Sequence, residues 1–120
     1  MNEADNVIPF PQPGRATQFT PQVHFNRQEL QLILRIYGRM VAEGEWRDYA
    51  IDSLRDEAFF SIFRRTSERP LYAVRKIPAD AQKQGAYALI GADGRILKRG
   101  RDLEAVLSFF NRLLLRPAED

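Results

Sequence analysis

Three carboxylates between residues 45 and 52 are the side chains best placed to do acid–base chemistry. Glu45, Asp48 and Asp52 fall within a segment that also contains Trp46 and Tyr49. If this segment is a β-strand, Asp48 and Asp52 lie about 13 Å apart, at about 3.3 Å per residue. That distance exceeds the roughly 5–9.5 Å between the paired carboxyl groups of glycosidases. The spacing therefore favours a solvated acidic edge over a catalytic pair, because only a helix brings these two carboxylates close together.

The other residue types that carry familiar chemistry are scarce. The chain has no cysteine and one histidine, His24, which excludes a thiolate nucleophile, a Cys-ligated zinc site and a multi-histidine site within one chain. Neither a Walker A loop nor a GxGxxG turn occurs in the sequence. We therefore expect no catalytic residue, no cofactor and no metal, and the sequence favours a non-enzymatic protein-binding or regulatory domain.

Charge is distributed unevenly along the chain, although the net charge is only +2. Residues 41–57 hold six acidic and two basic residues, a balance of −4, whereas residues 58–101 hold ten basic and three acidic residues, a balance of +7. The alternative function is therefore binding of nucleic acid or another polyanion. The candidate surface for it consists of Arg64, Arg65, Arg75, Lys98, Arg99 and Arg101. The competing interpretation pairs these arginines with the acidic segment inside one fold.

Membrane and export signals are not evident in the sequence. No apolar run approaches the roughly 20 residues of a membrane span. The N-terminus lacks the basic start and apolar stretch of a signal peptide. We therefore expect a cytoplasmic protein with no membrane partner.

The distribution of prolines divides the chain into a tail and one domain. Four prolines lie within residues 1–22, among Asn, Gln and Thr, and predict a flexible Pro-rich tail. Residues 23–117 are predicted to form a single α+β domain, and residues 118–120 are its C-terminal end. A length of 120 residues suits one domain rather than two.

The first predicted helix spans residues 27–43. Asn26 and Glu29 have the spacing of a capping box, and Gly44 is a suitable C-terminal stop. The predicted core-facing stripe contains Leu30, Ile33, Leu34, Tyr37 and Val41. Leu32 and Ile36 lie beside this stripe, which predicts wide burial of the helix by the sheet, the tail or another chain.

Short alternating segments follow this helix and predict strands. The segments are residues 46–52, 58–65, 71–77, 87–90 and 95–98. The last two flank Asp93 and Gly94, a hairpin turn in which both central residues are expected to have positive φ.

A second helix is predicted after the strands. It begins after Asp102, its N-cap, and ends before Pro117. Its core-facing residues are Leu103, Val106, Leu107, Phe110 and Leu114. The whole pattern predicts an α+β fold, in which an antiparallel meander of about five strands carries an N-terminal and a C-terminal helix on one face.

The strand at residues 58–65 is apolar on both of its faces. Phe59 and Phe63 point away from the face that carries the core. Such a face must be covered by the tail, by curling of the sheet or by a second subunit. Leu32, Ile36, Phe59 and Phe63 are therefore predicted to form a surface for self-association or tail docking. The expected partner is a second copy in a two-fold homodimer or an unknown protein.

Several short motifs resemble a known family. The motifs are GEWRDYAID at residues 44–52, FSIFRR at residues 60–65 and ILKRG at residues 96–100. Their order is similar to that in a small bacterial family known only as a domain of unknown function. The resemblance covers about residues 24–116. It implies a bacterial cytosolic protein with no assigned activity, catalytic residue or cofactor.

Overall fold

The computed structural model describes residues 21–65 and 69–114. Helix α1 spans Arg27–Ala42, and two short helices, α2 (Leu103–Leu107) and α3 (Phe109–Leu114), follow the strands. The strands are β1 (Asp48–Ser53), β2 (Ala58–Phe63), β3 (Tyr72–Lys76), β4 (Tyr87–Gly91) and β5 (Ile96–Gly100). The predictions for the tail up to residue 20 and for the chain after residue 114 lie outside the described residues.

The five strands form one antiparallel sheet in the order β1-β2-β3-β4-β5. Each strand pairs with its neighbours in sequence, because short connections join antiparallel strands. One row of partners across the whole sheet consists of Asp52, Phe59, Arg75, Ala88 and Arg99. The predicted α+β meander between an N-terminal and a C-terminal helical segment is confirmed.

The helices pack on one face of this sheet, which we call the inner face. Phe60, Val74 and Leu89 on the inner face are fully buried, and Ile33 of α1 and Phe110 of α3 belong to the same core. Burial alternates along β2, so the predicted orientation of its two faces is confirmed. The opposite side, which carries the row from Asp52 to Arg99, is called the outer face.

Local signals define the two ends of α1. The Asn26 N–H donates to Glu29 Oε1 at 2.7 Å, and the Glu29 N–H donates to Asn26 Oδ1 at 2.8 Å, so the predicted capping box is present. The helix ends at Ala42, and Gly44 follows at a φ of 80°.

Neither α1, with 16 residues, nor another described helix is long and apolar enough to cross a membrane.

The predicted core-facing side of α1 is only partly correct: Ile33 is buried and Leu30 and Tyr37 pack against the core, but the centre of the buried stripe lies elsewhere. The buried residues of the helix are Glu29, Ile33, Ile36 and Met40. Leu34 and Val41, which were predicted to face the core, are exposed. The observed stripe begins one residue earlier than the predicted one, which rotates the helix by about 100°. Apolar residues occupy both stripes, so periodicity alone does not distinguish them, and the buried ion pair of Glu29 with Lys76 fixes the observed choice.

Aromatic rings close the core at the end of the sheet where α1 ends. Trp46 is buried just before β1, and its ring centroid lies 4.9 Å from that of Phe110, with the two planes at 84°. The Tyr72 ring lies 6.1 Å from Trp46. Edge-to-face and tilted contacts of this kind suit the charge distribution of aromatic rings. Trp46 thus anchors the loop between α1 and β1 in the core.

The hairpin between β4 and β5 lies where it was predicted, but its turn differs. The Gly94 N–H donates to the Gly91 carbonyl at 2.9 Å, and Gly94 has a φ of 87°, whereas Asp93 does not have a positive φ. The prediction of positive φ at both central residues is therefore wrong. A type I turn followed by a left-handed glycine produces a bulged hairpin, consistent with the register shift between Leu89 and Ile90.

The predicted final helix is divided at Ser108 into α2 and α3. Asp102 caps the start of α2, as predicted, by accepting from the Glu104 N–H at 3.3 Å. Ser108 Oγ donates to the Ala105 carbonyl at 2.5 Å and accepts from Lys98 Nζ at 3.0 Å. Because a serine side chain competes for main-chain hydrogen bonds, the chain turns here and directs Phe110 into the core.

Candidate functional site

β1 is an edge strand of the described sheet, so one side of its main chain lacks a strand partner. The Leu54 N–H donates to the Glu57 carbonyl at 2.8 Å, so the N–H at this position points toward β2. Main-chain groups in an antiparallel strand alternate in direction. Tyr49, Ile51 and Ser53 therefore direct their main-chain N–H and carbonyl groups to the open edge.

Exposed apolar side chains lie along the flank of α1 and on the adjacent inner side of β1. Leu34, Tyr37 and Val41 follow one another at helical spacing on the flank of α1. The Tyr37 ring lies 5.0 Å from the Tyr49 ring, which places this flank beside β1. Tyr49 and Ile51 are 41% and 44% exposed, and Leu34 and Val41 are also exposed. We call these five side chains the β1 groove, which joins apolar surface to a main-chain edge.

The residues before α1 bound one end of the β1 groove. The Val23 N–H donates to the Leu54 carbonyl at 2.7 Å. Phe25 is buried in the core, and Val23 packs against it. Leu54 itself is exposed. Phe25 and Val23 thus lie on the helix side of the sheet and anchor the start of α1.

Glu29 is at the centre of a polar cluster that connects α1 to β3 and β4. Its carboxylate accepts from Lys76 Nζ at 2.8 Å and from the Tyr87 hydroxyl. Lys76 also donates to the His24 carbonyl at 2.8 Å. The Lys76 and Glu29 side chains are 15% and 8% exposed. The sequence predicted the capping box of Asn26 and Glu29 but not the contacts of Glu29 with Lys76 and Tyr87. A lysine at a strand position that faces the core was the one signal that could have indicated a buried acidic partner.

The charges within this cluster stabilise each other. Burial disfavours the charged form of Glu29, but hydrogen bonds from Lys76, Tyr87 and Asn26 together hold the pKa of its carboxyl below the usual value. Burial, and then the hydrogen bond to Glu29, raise the pKa of Tyr87. The cluster therefore contains a carboxylate, an ammonium and a neutral phenol, which stabilise the fold rather than present a poised acid or base.

The carboxylates considered for acid–base chemistry do not converge. Asp48 and Asp52 lie on the outer side of β1, opposite Phe63 and Phe59, and not on a helix. Asp48 accepts from the Tyr49 N–H at 2.8 Å. Within residues 21–65 and 69–114, no group of three or more His, Cys, Asp or Glu side chains is placed to hold a metal ion.

A surface cleft of about 490 Å³ lies at the end of the sheet near Trp46 and Tyr72. Its walls are mainly apolar and aromatic. Of the three candidate carboxylates, Glu45 lines the cleft, whereas Asp48 and Asp52 do not. The cleft thus offers aromatic contacts but does not assemble the acidic pair that the sequence raised.

The six candidate polyanion-binding residues occupy different parts of the molecule. Arg75 and Arg99 lie on the outer face, in the row described above, and Lys98 faces the helices and contacts Ser108. Arg101 donates to the main-chain carbonyls of the loop at residues 81–83. Arg64 and Arg65 follow β2, at the other end of the sheet. The structure therefore does not bring these residues into one basic surface.

Two of these arginines pair with the acidic segment, as the competing interpretation predicted. Arg75 Nε lies 2.9 Å from Glu57 Oε1, and its guanidinium is 5.8 Å from the centroid of the Phe59 ring. Arg64 lies 3.8 Å from Glu45, and both side chains are more than half exposed. Intramolecular pairing thus accounts for part of the uneven charge along the sequence.

The four residues predicted for self-association or tail docking lie on opposite sides of the sheet. Ile36 is buried and Leu32 packs against the core on the inner side, so the domain's own core covers this edge of α1, as in the first of the three alternatives. Phe59 and Phe63 are half-buried on the outer face. The sheet itself separates the two pairs, because α1 packs on its inner face, and the structure does not assemble these four residues into one surface.

Comparison with known sequences assigns the chain to a family. Residues 23–107 match the family described as a protein of unknown function (DUF2794). No curated protein and no solved structure matches the chain. The match starts one residue before the region expected from the motifs and ends at Leu107, the last residue of α2. The expected resemblance to a family of unknown function is therefore confirmed, and the chain belongs to the DUF2794 family.

Proposed function

We propose that this protein is a non-enzymatic protein-binding domain whose β1 edge captures an extended segment of a partner by strand addition. The observation that carries the proposal is the coincidence of an open strand edge with the exposed apolar β1 groove. Of the seven exposed large hydrophobic side chains among the described residues, five lie on α1, on β1 or at Leu54. Strand addition uses main-chain hydrogen bonds for affinity and side-chain pockets for specificity.

The geometry of β1 determines which segment fits. The partner's main chain bonds the outward groups of Ile51 and Ser53, and also those of Tyr49 when its N–H releases the Asp48 carboxylate. Side chains alternate along a strand. Every second residue of the partner therefore faces the β1 groove and contacts it through an apolar side chain or through the apolar stem of a long charged one.

The outer side of β1 determines the charge of the partner. Asp52 is exposed on this side and has no ion-pair partner among the described residues. Opposite charges directly across two strands contribute about 0.2–1 kcal/mol. The partner segment therefore carries Lys or Arg at the position opposite Asp52.

A peptide selection with an edge-blocked variant tests this function. A display library of random linear peptides is selected on the full-length chain and depleted on Ile51→Pro. Proline at residue 51 removes an N–H that points to the open edge, so pairing with β2 is retained. Arg99→Pro is the matched control, because it places proline on the opposite edge strand. Near-ultraviolet circular dichroism verifies that both variants fold.

The expected result is a selected peptide with alternating apolar residues and at least one basic residue. Its dissociation constant rises at least tenfold with Ile51→Pro, about 1.4 kcal/mol, and does not rise with Arg99→Pro. Amide hydrogen exchange slows at Ile51 and Ser53 on binding. Equal binding to the Ile51→Pro variant, or enrichment of no peptide, rejects the proposal.

A further inference from the structure

The two edges of the sheet resemble each other in exposed apolar surface and differ in charge. The exposed large hydrophobic residues that do not lie near β1 are Ile96 and Leu97, both on β5, the opposite edge strand. In the described part of the chain, the exposed large hydrophobic residues therefore lie near one or the other edge of the sheet. The sequence of β1 has two acidic residues and no basic one, whereas that of β5 has Lys98 and Arg99 and no acidic one.

Two oppositely charged residues lie at the two ends of one row. Asp52 on β1 and Arg99 on β5 both belong to the row that crosses the outer face. Four strand spacings separate them, about 19 Å, which is too far for a direct pair within one copy. Both side chains are exposed, and neither has an ion-pair partner among the described residues.

The main chain of β5 also presents groups at its open edge. The Ile77 N–H donates to the Ala86 carbonyl at 2.7 Å, so the main-chain groups of Ala86 and of alternate residues in β4 point toward β3. By the same alternation, Arg99 of β5, which is the partner of Ala88, directs its main-chain groups away from β4. Each end of the sheet therefore has both an apolar edge and outward main-chain groups.

The direction of the strands allows one copy to continue the sheet of another. β1 and β5 are separated by four antiparallel steps and so run in the same direction. When two copies stand side by side with their helices on the same side, β5 of one runs parallel to β1 of the next. In the register that continues the row, Arg99 of one copy lies opposite Asp52 of its neighbour.

We infer that the strand captured by the β1 edge is β5 of a second copy of this chain, which produces head-to-tail self-association. The inference rests on the proposed function of the β1 edge and names its partner. The interface uses two different surfaces, so each added copy leaves one β1 edge and one β5 edge open. Association therefore continues beyond a dimer as the concentration rises.

A two-fold pairing of β1 with β1 is less favourable than this arrangement. Pairing centred on Ala50 sets Asp48 of each copy opposite Asp52 of the other, and like charges directly opposite are destabilising. Pairing centred on Ile51 gathers four carboxylates on one side of the joint. Pairing of β1 with β5 instead sets the acidic strand against the basic one.

Mixing of edge-blocked variants tests the head-to-tail arrangement by sedimentation. The full-length chain is expected to show a weight-average mass that rises with concentration above the 13.9 kDa of one chain. Ile51→Pro closes the β1 edge and Arg99→Pro closes the β5 edge, so each variant alone stays at the mass of one chain. An equimolar mixture of the two retains one open edge of each kind and forms a complex of two chains, and no larger one.

Charge reversal provides a second set of variants that leaves the main chain unchanged. Asp52→Lys and Arg99→Glu each lower the association of the chain with itself. The chain that carries both reversals regains it, because the two edges are again complementary.

The outcomes separate this inference from the proposed function. A mass of one chain at every concentration of the unmodified protein overturns the inference, while the peptide selection still decides the function. Dimers formed by the Arg99→Pro variant alone also overturn it, in favour of a two-fold β1 joint. Failure of the doubly reversed chain to associate shows that the row from Asp52 to Arg99 does not set the register.

Discussion

Replacement of Glu29 by alanine removes the carboxylate that connects α1 to the sheet. The change deletes the hydrogen bonds from Lys76 Nζ at 2.8 Å and from the Tyr87 hydroxyl, and it also deletes the cap on the Asn26 N–H at 2.7 Å. The Lys76 side chain, 15% exposed, then lacks its counter-charge. An uncompensated charge in such a site is strongly destabilising.

The size of this effect follows from the three lost contacts. A hydrogen bond between charged groups contributes about 1.5–3 kcal/mol, and a buried hydroxyl without an acceptor loses about 1 kcal/mol. A lost helix cap adds about 1 kcal/mol. We therefore expect Glu29→Ala to lower the free energy of unfolding by about 4 kcal/mol, within the range for a broken buried ion pair. Glu57→Ala, which breaks the more exposed pair with Arg75, is the matched control and is expected to lose less than about 1 kcal/mol.

Urea unfolding followed by the fluorescence of Trp46 measures both variants, since this residue is the single tryptophan and is buried. At a slope of about 1.5 kcal/mol per M, Glu29→Ala lowers the midpoint by roughly 2.5 M. The double variant Glu29→Ala/Lys76→Met removes the stranded ammonium and regains part of the loss. A midpoint for Glu29→Ala no lower than that for Glu57→Ala refutes the view that this cluster holds α1 on the sheet.

Three further predictions concern pH, backbone fit and polyanions. The pKa of Glu29 lies below its ordinary 4.5, so the stability that its ionised form contributes is complete above that pH and is lost as the pH falls through the lowered value. Glu29→Gln is therefore expected to reduce the change of the urea midpoint between about pH 5 and pH 3. Gly85→Ala is expected to destabilise by about 4 kcal/mol, because the residue has a φ of 99° and a Cβ there would meet the Gly100 carbonyl carbon at 2.3 Å. Gly94→Ala, at a φ of 87° with no neighbouring atom in reach, is expected to lose only about 1 kcal/mol; equal midpoints in a urea titration contradict this account. Labelled single- and double-stranded oligonucleotides are expected not to bind at about 50 mM salt, because the basic residues are dispersed; binding that weakens steeply at about 200 mM salt restores a polyanion surface.

Local signals in the sequence were sufficient for the architecture. The capping box at Asn26, the Asp93-Gly94 turn and the period-2 segments depend on contacts between near neighbours, so the elements and their order follow from the sequence. The rotation of α1 depends instead on Lys76, which lies 47 residues from Glu29. Apolar residues on two adjacent stripes of the helix make both rotations compatible with its periodicity.

The candidate site was harder to predict than the fold for a related reason. Ile51 and Tyr49 were recognised as strand residues, but whether a strand lies at the edge of a sheet depends on the order of all the strands. The division at Ser108 also escaped prediction, because the apolar positions on either side of it continue the helical spacing. Ser108 accepts a hydrogen bond from Lys98 of β5. Because α2 lies between these two residues in the sequence, their contact was not evident from local spacing.

The order of the strands also has a consequence for how the chain folds. Each hairpin joins segments that are adjacent in sequence, and short loops lose less entropy on closure than long ones. The contact of α1 with the sheet, in contrast, spans 47 residues to Lys76 and 58 residues to Tyr87. We therefore expect hairpin formation to precede docking of α1 along the folding reaction. Substitutions at Glu29 consequently accelerate unfolding and leave the folding rate nearly unchanged, since contacts that form after the transition state act on the unfolding rate.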